Sequence, residues 1–346
     1  MLRAELEKIF ESNNLDAVIS EAPQTRLWYA GVQTTDGYLI IEKEKAYIFV
    51  DGRYIEYVTK NAKNVDVRLL EKDSLAQFLS KKNYKVVGVE QDYLTLGVFG
   101  TIKKILPDAK YIELKAKQFR IKKDEEEVTK IQEACNISLQ ALEEVKKLLR
   151  VGITEEEVAN KLGYLMRLFG AEKESFESIV AFGTNAAEPH HHPTNRKLAD
   201  GDIVKIDFGA QFAGFASDIT RTFFFGKPKS PELVKVLDIV TAAQKAGREA
   251  VKPGISTKEI DKICRDYIEK AGYGKFFTHS TGHGVGIDVH ELPNVNAVSD
   301  VVLEEGMIIT VEPGIYIEGS GGARIEDTIL VTKDGSKVLS RPEDYK

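Results

Sequence analysis

Two stretches of similar design decide the fold, GDIVKIDFGAQFAGFASDITRT at residues 201–222 and EGMIITVEPGIYIEGSGGARIEDTIL at residues 305–330. Near its start each stretch has a glycine, then a run rich in apolar residues, and then a carboxylate, Asp207 in one and Glu312 in the other. A second carboxylate follows in each, Asp218 and Glu326 respectively. We interpret the stretches as two copies of one unit that present four carboxylates to a common place.

Strand geometry indicates which acids matter. Side chains of a β-strand alternate between the two faces of the sheet, so Asp207 and Glu312 point away from the apolar side chains beside them. In RIEDTIL, residues 324–330, the same alternation places Glu326 on the face away from the apolar side chains and Asp327 on the apolar face. We therefore take Glu326 as the second acid, and we expect the acidic strands of both copies to lie side by side in one sheet.

Four converging carboxylates require positive charge, because buried acids cannot all remain ionised without compensation. Divalent metal is the natural compensation. All six histidines of the chain lie in two short windows upstream of the acidic strands, EPHHHPTN at residues 188–195 and THSTGHGVGIDVHE at residues 278–291. The candidate ligands are therefore one histidine and the four acids, Asp207, Asp218, Glu312 and Glu326.

An oxygen-rich ligand set of this kind favours hard or borderline cations, with Mn²⁺ ahead of Co²⁺, Fe²⁺ and Zn²⁺. Pairs of divalent cations held by carboxylates activate water and polarise a substrate carbonyl. The residues therefore predict two divalent metal ions per subunit and a hydrolytic reaction.

The C-terminal part of the chain repeats itself. The triplet at residues 152–154, GIT, is followed by Glu157 as a capping box, and it returns as GIS at residues 254–256 with Glu259. The two triplets and the two acidic strands are each spaced by roughly a hundred residues, which indicates two copies of one structural unit. A pseudo-two-fold arrangement would place the metal site between the copies.

Composition limits the class of protein. The 346 residues carry a net charge of -6 with both signs mixed, so nothing suggests nucleic-acid binding. Apolar residues make up 42% of the chain, which allows sizeable cores. We see no apolar run long enough to span a membrane and no signal peptide. Cys135 and Cys264 are expected to be buried free thiols, which together with these features predicts a cytoplasmic protein.

Residues 1–120 alternate short apolar strands with amphipathic helices and predict a small mixed α/β domain without a chemical motif of its own. We expect LWYAG, residues 27–31, to continue the strand series, and Asp51 in DGRY to cap a strand-to-helix turn. A charged connector then leads to Asp124 and Glu127, which predict the start of a long amphipathic helix in a second domain, residues 121–346.

The ordered pattern of acids and histidines resembles the pita-bread metallopeptidases, which include methionine aminopeptidase, aminopeptidase P and prolidase. The resemblance covers nearly the whole chain. The DGRY-containing domain resembles the creatinase-type N-terminal domain of the Xaa-Pro-cleaving branch. The predicted fold class is thus α/β (α+β), a creatinase-like mixed α/β domain followed by a pseudo-two-fold pita-bread catalytic domain.

The resemblance also implies roles for single residues. Asp207 would hold one metal, His283 and Glu312 the other, and Asp218 and Glu326 both, while Glu312 is also implied in proton transfer. Further residues are implied in catalysis or in positioning the peptide: His190, His279, His290, Arg324 and, lining the pocket, Tyr316. On alternation alone His192 would share a face with His190, so the choice of His190 comes from the family spacing. Arg324 as a plain ion pair and Tyr316 as core packing stay open.

The residues predict only metal-dependent hydrolysis, and the resemblance implies that the bond cleaved lies between an N-terminal residue and proline in short peptides. We expect a dipeptidase that forms a homodimer. Three alternatives remain at this level: an aminopeptidase acting on longer peptides, a creatinase-like hydrolase, and a non-catalytic pita-bread module that binds protein or peptide. Creatinase-like hydrolases and the non-catalytic modules share the fold but lack the metal ligands, whereas this chain has all five ligand residues.

Overall fold

The computed structural model describes residues 4–341, and the chain separates between Arg120 and Ile121 into two compact units. We refer to them as the N-terminal unit and the C-terminal unit. Among the described residues, no helix is both long and apolar enough to cross a membrane.

The N-terminal unit is built on one six-stranded mixed sheet. Its helices are α1 (Ala4–Asn13), α2 (Pro23–Ala30), α3 (Ile55–Asn61), α4 (Ser74–Ser80) and α5 (Leu96–Ile105). Its strands are β1 (Ala17–Ser20), β2 (Tyr38–Glu42), β3 (Ala46–Val50), β4 (Asp66–Leu69), β5 (Val86–Glu90) and β6 (Lys110–Leu114). The strand order is β4-β3-β2-β1-β5-β6. Leu79 of α4 and Ile102 of α5 pack with Ile19, Ile40 and Phe49 of the sheet.

One local expectation for this unit is wrong, and another is confirmed. LWYAG lies mostly in α2 instead of a strand, because Pro23 opens a helix there and Gly31 closes it in the left-handed conformation (φ 73°). Asp51 caps the turn from β3 into α3 as expected, because its carboxylate accepts a hydrogen bond from the backbone N–H of Arg53 (2.8 Å). It also pairs with the Arg53 side chain, and the N-cap of α3 itself is Tyr54.

The C-terminal unit combines four helices with short antiparallel strands over its described residues. The helices are α6 (Glu125–Leu148), α7 (Glu155–Leu168), α8 (Pro231–Ala250) and α9 (Thr257–Lys270). The strands preceding α8 are β7 (Lys173–Glu174), β8 (Ile179–Phe182), β9 (Ile203–Phe208), β10 (Ala210–Phe212), β11 (Phe215–Ala216) and β12 (Ile219–Phe224). Those that follow α9 are β13 (Gly282–Gly284), β14 (Glu291–Val295), β15 (Ile308–Val311), β16 (Gly314–Ile317), β17 (Gly321–Arg324), β18 (Asp327–Val331) and β19 (Ser336–Val338).

The acidic strands belong to two sheets, so the expectation of a single sheet is wrong. The first half of the unit, residues 121–226, has the sheet β12-β9-β8, and the second half, residues 227–341, has the sheet β14-β13-β15-β18-β19. The segment expected to form one strand, RIEDTIL, breaks at Ile325, with Arg324 ending β17 and Asp327 beginning β18. There the chain passes between the halves, and the backbone N–H of Glu326 donates to Thr220 of β12 (3.1 Å).

The two halves are interlocked by their cores. The hairpin β16–β17 of the second half places Ile315 and Ala323 in one apolar cluster with Ala181 and Ile203 of the first half and with α8. A separate cluster joins α9 to β15 and β18. Since these clusters hold the strands from behind, the acids at the strand ends are fixed relative to each other across the halves.

The helix starts follow the repeated sequence. Asp124 with Glu127, and Thr154 with Glu157, form complete capping boxes at α6 and α7. At α9 the Ser256 hydroxyl accepts from the backbone N–H of Glu259 (3.2 Å). The glycines of the two triplets, Gly152 and Gly254, have similar positive φ values of 90° and 87°, which a residue with a Cβ adopts only at a cost.

Candidate metal centre

The predicted site residues meet at one open cavity of about 510 Å³ in the C-terminal unit. Nine of the ten line it: His190, Asp207, Asp218, His279, His283, His290, Glu312, Arg324 and Glu326. Tyr316, expected to line the pocket, does not: it is buried, 7% exposed, behind His279 and Arg324. Its hydroxyl is engaged by those two side chains, which explains why the ring packs inward.

Asp207 is placed by β9, where it is paired across the ladder with Thr220 of β12 and Ile179 of β8. Arg324 donates from its guanidinium to Asp207 Oδ2. It also donates to the Thr220 hydroxyl (3.1 Å) and to the Tyr316 hydroxyl (2.6 Å). Both partners of the Arg324–Asp207 pair are almost fully buried, so this is an ion pair of the site rather than one of the surface.

Three side chains come close enough to hold one cation. Ligand atoms of Asp218, His283 and Glu326 all lie within 4.8 Å of one another. Asp218 comes from the first half, immediately before β12, and the other two come from the second half. Glu312 adjoins this group, since its Oε1 lies 3.2 Å from His283 Nε2.

The electrostatics of the acids differ. Burial and the charge of Asp207 raise the pKa of Asp218 well above its usual value, and burial and the charge of Asp218 do the same for the pKa of Glu326. Burial also disfavours the charged form of Glu312, yet the hydrogen bond and charge of His283 bring its pKa down to about 2. The acids therefore repel one another, and two of them lack sufficient compensation from protein cations.

The donor set fits divalent cations. Asp207 Oδ1 and Glu326 Oε1 are buried and have no hydrogen-bond partner in the described part of the chain. Such oxygens are costly unless a cation or water meets them. With the neighbouring oxygens of Asp218 and Glu312 and the imidazole of His283, they form the mixed oxygen and nitrogen set that first-row divalent metals accept.

His279 is held in a defined orientation beside the acids. Its Nδ1 lies 2.7 Å from the carbonyl oxygen of Ser280, and its Nε2 lies 2.8 Å from the Tyr316 hydroxyl. Burial lowers the pKa of His279, which favours the neutral ring. A neutral ring that donates from Nδ1 to Ser280 leaves Nε2 to accept from Tyr316, whose oxygen in turn accepts from Arg324.

The three consecutive histidines have separate environments. His190 is exposed and lines the cavity. His191 also borders the cavity, but it is 5% exposed and its two ring nitrogens lie 2.9 Å from Glu155 and 2.7 Å from Glu188. His192 is exposed at the rim, 3.8 Å from Glu177. Only the structure separates these three environments, because the alternation argument treats His190 and His192 alike.

Two supporting residues were missed from the sequence. Thr220 donates to Glu326 Oε2 (2.7 Å) and accepts from Arg324, so it fixes the distance between those side chains. Lys205 is fully buried, donates to the carbonyl oxygens of Ala186 and Glu188, and lies over the Tyr316 ring (5.1 Å). Strand alternation gave a usable signal for Lys205, since it shares a face with Asp207 inside an apolar strand.

Known proteins share this architecture. The sequence model of Metallopeptidase family M24 matches residues 129–333, and that of the Creatinase/Prolidase N-terminal domain matches residues 3–121. The Xaa-Pro dipeptidase of Pyrococcus furiosus is 38% identical, over 98% of this chain and 97% of the relative. The putative Xaa-Pro aminopeptidase of Mycoplasma pneumoniae is 38% identical, over 97% and 96%. The solved Xaa-Pro dipeptidase of Bacillus anthracis superposes with a TM-score of 0.93 at 37% identity, covering 98% and 96%.

Proposed function

Because the chain belongs to metallopeptidase family M24, we propose that it is an Xaa-Pro dipeptidase, which hydrolyses the bond between an N-terminal residue and a following proline. The observation that carries the proposal is the cavity where acids of both halves meet a histidine and an arginine. The match of the N-terminal unit to the Creatinase/Prolidase domain supports the Xaa-Pro branch. The names of the similar proteins point the same way.

Five side chains would hold the metal ions: Asp207, Asp218, His283, Glu312 and Glu326. Two bound divalent ions would polarise the scissile carbonyl and supply a nucleophile from water at neutral pH. Manganese suits the oxygen-rich set, and cobalt, iron and zinc are the other candidates. The orphaned oxygens of Asp207 and Glu326 support this assignment.

The other residues act on the substrate. His190, His279 and His290 line the cavity, where they can orient the peptide. His190 and His290 can also donate to the oxygen that becomes negative during attack. His290 stacks edge-on against His283 with ring centroids 4.3 Å apart, which places it beside the ligand set. Glu312 stays ionised because of His283, so it can accept a proton at its carboxylate.

Apolar side chains provide a surface for proline. Phe176, Ile179 and Val289 line the same cavity as the acids. The nitrogen of an Xaa-Pro bond carries no hydrogen, so recognition there must depend on the shape and apolar surface of the pyrrolidine ring. These three side chains would pack on that ring.

The second candidate is an Xaa-Pro aminopeptidase that acts on longer peptides. It is favoured by a specific observation, since similar proteins carry both names at the same identity. Comparing Ala-Pro with Ala-Pro-Gly and Ala-Pro-Gly-Gly separates the two. A dipeptidase strongly prefers Ala-Pro, whereas comparable cleavage of the longer peptides would establish the aminopeptidase.

The decisive experiment is proline release from Met-Pro and Ala-Pro by the purified full-length protein, with Mn²⁺ and separately with Co²⁺, Fe²⁺ and Zn²⁺. We expect release that a chelator abolishes and no hydrolysis of Ala-Ala, the control without proline. Absence of release with all four metals, or equal hydrolysis of Ala-Ala, would refute the proposal.

The proposal includes the oligomeric state and the cellular location of the protein. We expect a homodimer, which the resemblance to the Xaa-Pro-cleaving branch suggests, and light scattering on the purified protein measures it. We also expect a cytoplasmic protein, given the two buried free thiols. Fractionation of the source cells tests the location.

A further inference from the structure

The segment that carries His279 has little regular structure of its own. Residues 277–281 lie between a short helical turn, Gly274–Phe276, and β13. Backbone hydrogen bonds of a helix or sheet therefore do not fix its course. Since His279 reaches the Tyr316 hydroxyl with one ring nitrogen, something else must hold the segment in place.

Two residues of α9 hold this segment at three points. Arg265 donates to the backbone carbonyl oxygens of Phe277 (3.2 Å) and His279 (3.0 Å). Asp261 Oδ1 accepts from the hydroxyl of Thr281 (2.8 Å). The guanidinium of Arg265 also lies 4.3 Å from the centre of the Phe277 ring, a cation–π contact that fixes the ring beneath it.

The two residues form one rigid element. They are one helical turn apart, and Arg265 donates to both oxygens of Asp261 (2.9 and 3.0 Å). Asp261 is only 1% exposed. A buried carboxylate gripped by the planar fork of an arginine has few alternative orientations. The pair therefore presents donors and acceptors at fixed positions.

The segment held by α9 also contacts Glu312, an acid of the metal centre. The backbone carbonyl of Thr281 accepts from the N–H of Glu312 (2.8 Å). The ring of Phe277 meets the His279 ring edge to face, with centroids 5.1 Å apart. Neither Asp261 nor Arg265 lines the cavity, so any effect on turnover must pass through the residues they hold.

We propose that the Asp261–Arg265 pair on α9 is a positioning device that sets the orientation of His279 toward the cavity. The inference rests on the proposed function for its catalytic consequence only. The orientation of the His279 ring is a property of the protein that can be measured whether or not the substrate has been assigned correctly.

The test compares Arg265→Met, Arg265→Lys and Asp261→Asn with a matched control on the same helix. Lys262 pairs with Asp266 at the same spacing, but both are exposed, so Lys262→Met removes a similar ion pair that touches neither segment nor site. All variants are prepared as full-length protein loaded with zinc, which is diamagnetic.

The first measurement is the histidine ring spectrum of protein labelled with ¹⁵N-histidine. With six histidines in the chain, the signals can be assigned by substitution. We expect the His279 signals to move in Arg265→Met and Asp261→Asn, to move less in Arg265→Lys, and to stay in place in Lys262→Met. Unchanged His279 signals in Arg265→Met would overturn the proposal even if no substrate is cleaved.

The second measurement is turnover of Ala-Pro. We expect kcat to fall by roughly tenfold or more in Arg265→Met, since misplacing a catalytic group by about 1 Å can cost about a hundredfold. Arg265→Lys should recover part of the loss, and Lys262→Met should be unchanged. Combined with His279→Ala, Arg265→Met should cause little further loss. Full additivity of the two losses would contradict action through His279.

Discussion

The two halves of the C-terminal unit contribute acids equally but positive charge unequally. Each half supplies two acids of the candidate ligand set: Asp207, Asp218, Glu312 and Glu326. The second half has Arg324 two residues before Glu326, whereas the first half has Ala216 two residues before Asp218. The second half also provides His283 to the ligand set. In the corresponding histidine window of the first half, His191 is buried and pairs with Glu155 instead.

This difference in positive charge shows how two similar halves form a single metal site. Arg324 pairs with Asp207 of the first half, and His283 lies 3.5 Å from Asp218 of the first half. Positive groups of the second half therefore lie beside acids of the first half. The repeat sets the acids in place, and the unequal residues between them bind the halves electrostatically.

The largest effect on turnover is expected from removing the charge of Glu326, an acid of the second half that contacts Thr220 of the first half. Glu326→Gln keeps the shape and removes the charge of one candidate ligand. We expect kcat/KM on Ala-Pro to fall by more than roughly a hundredfold, because even residues that only orient a metal ligand commonly cost about 10–100-fold. Bound metal per protein, measured by elemental analysis, should fall as well.

The adjacent acid provides the matched control. Asp327 is fully buried away from the cavity, where it accepts from Arg221 (3.1 Å), Gln244 (2.9 Å) and Arg341 (2.8 Å). Asp327→Asn should therefore lower the free energy of unfolding by about 3 kcal/mol, with turnover per folded molecule close to normal. If Asp327→Asn lost metal and Glu326→Gln did not, the assignment of the two acids would be reversed.

Strand alternation chose Glu326 over Asp327, and in the structure Glu326 borders the cavity whereas Asp327 does not. The argument assumed one continuous strand, but Glu326 lies in the break between β17 and β18. Alternation says nothing about partners far along the chain. Alternation indicates the face on which Lys205 lies, but its contacts, like those of Thr220 and the Asp261–Arg265 pair, are with distant segments, which a periodic pattern cannot reveal.

Predictions that relied on continuing a pattern were wrong where another constraint intervened. RIEDTIL looked like one strand, yet the chain must cross there from a hairpin packed on the first half to the sheet of the second half. LWYAG looked apolar enough for a strand, but Pro23 and Gly31 made it a helix. Local composition cannot anticipate a change of sheet, because that change depends on tertiary packing.

The next prediction concerns the ion pair between Arg324 of the second half and Asp207 of the first half. Arg324→Met would leave Asp207 buried without its cationic partner. We expect turnover of Ala-Pro to fall by about 10–100-fold, with Arg324→Lys recovering only part, since lysine lacks the fork that reaches Thr220 and Tyr316 as well. Arg248→Met, which removes another arginine near a buried acid of the second half, should leave turnover unchanged. Normal turnover in Arg324→Met would show that the unequal charge is unimportant.

A smaller effect is expected from the hydroxyl that joins Arg324 to His279. Tyr316→Phe keeps the ring that Lys205 covers and removes two hydrogen bonds. Because a hydrogen bond contributes about 0.5–1.5 kcal/mol, we expect kcat to fall by up to about tenfold and KM to change little. Tyr267→Phe on α9, where the tyrosine is exposed, is the control. A larger loss than that of Arg324→Met would place Tyr316 in direct contact with the substrate.

The smallest effect concerns the repeated helix starts. At α7 the Glu157 carboxylate accepts from the backbone N–H of Thr154 (2.8 Å), whereas the structure gives the α9 start only the Ser256 cap. Glu157→Ala should therefore lower the melting temperature slightly, and Glu259→Ala should lower it less.

Lowering the pH should distinguish the start of α7 from the start of α9 further. The backbone hydrogen bond lowers the pKa of Glu157 below its usual value, so the unfolded state binds its proton first as the pH falls. The stabilisation is present above the unfolded pKa and is lost as the pH falls through the folded pKa. The difference in melting temperature between Glu157→Ala and the unchanged protein should thus shrink on acidification, which calorimetry at neutral and acid pH measures. An equal, pH-independent loss in both variants would mean that the capping of the two halves is equivalent, and that their difference is confined to the cavity.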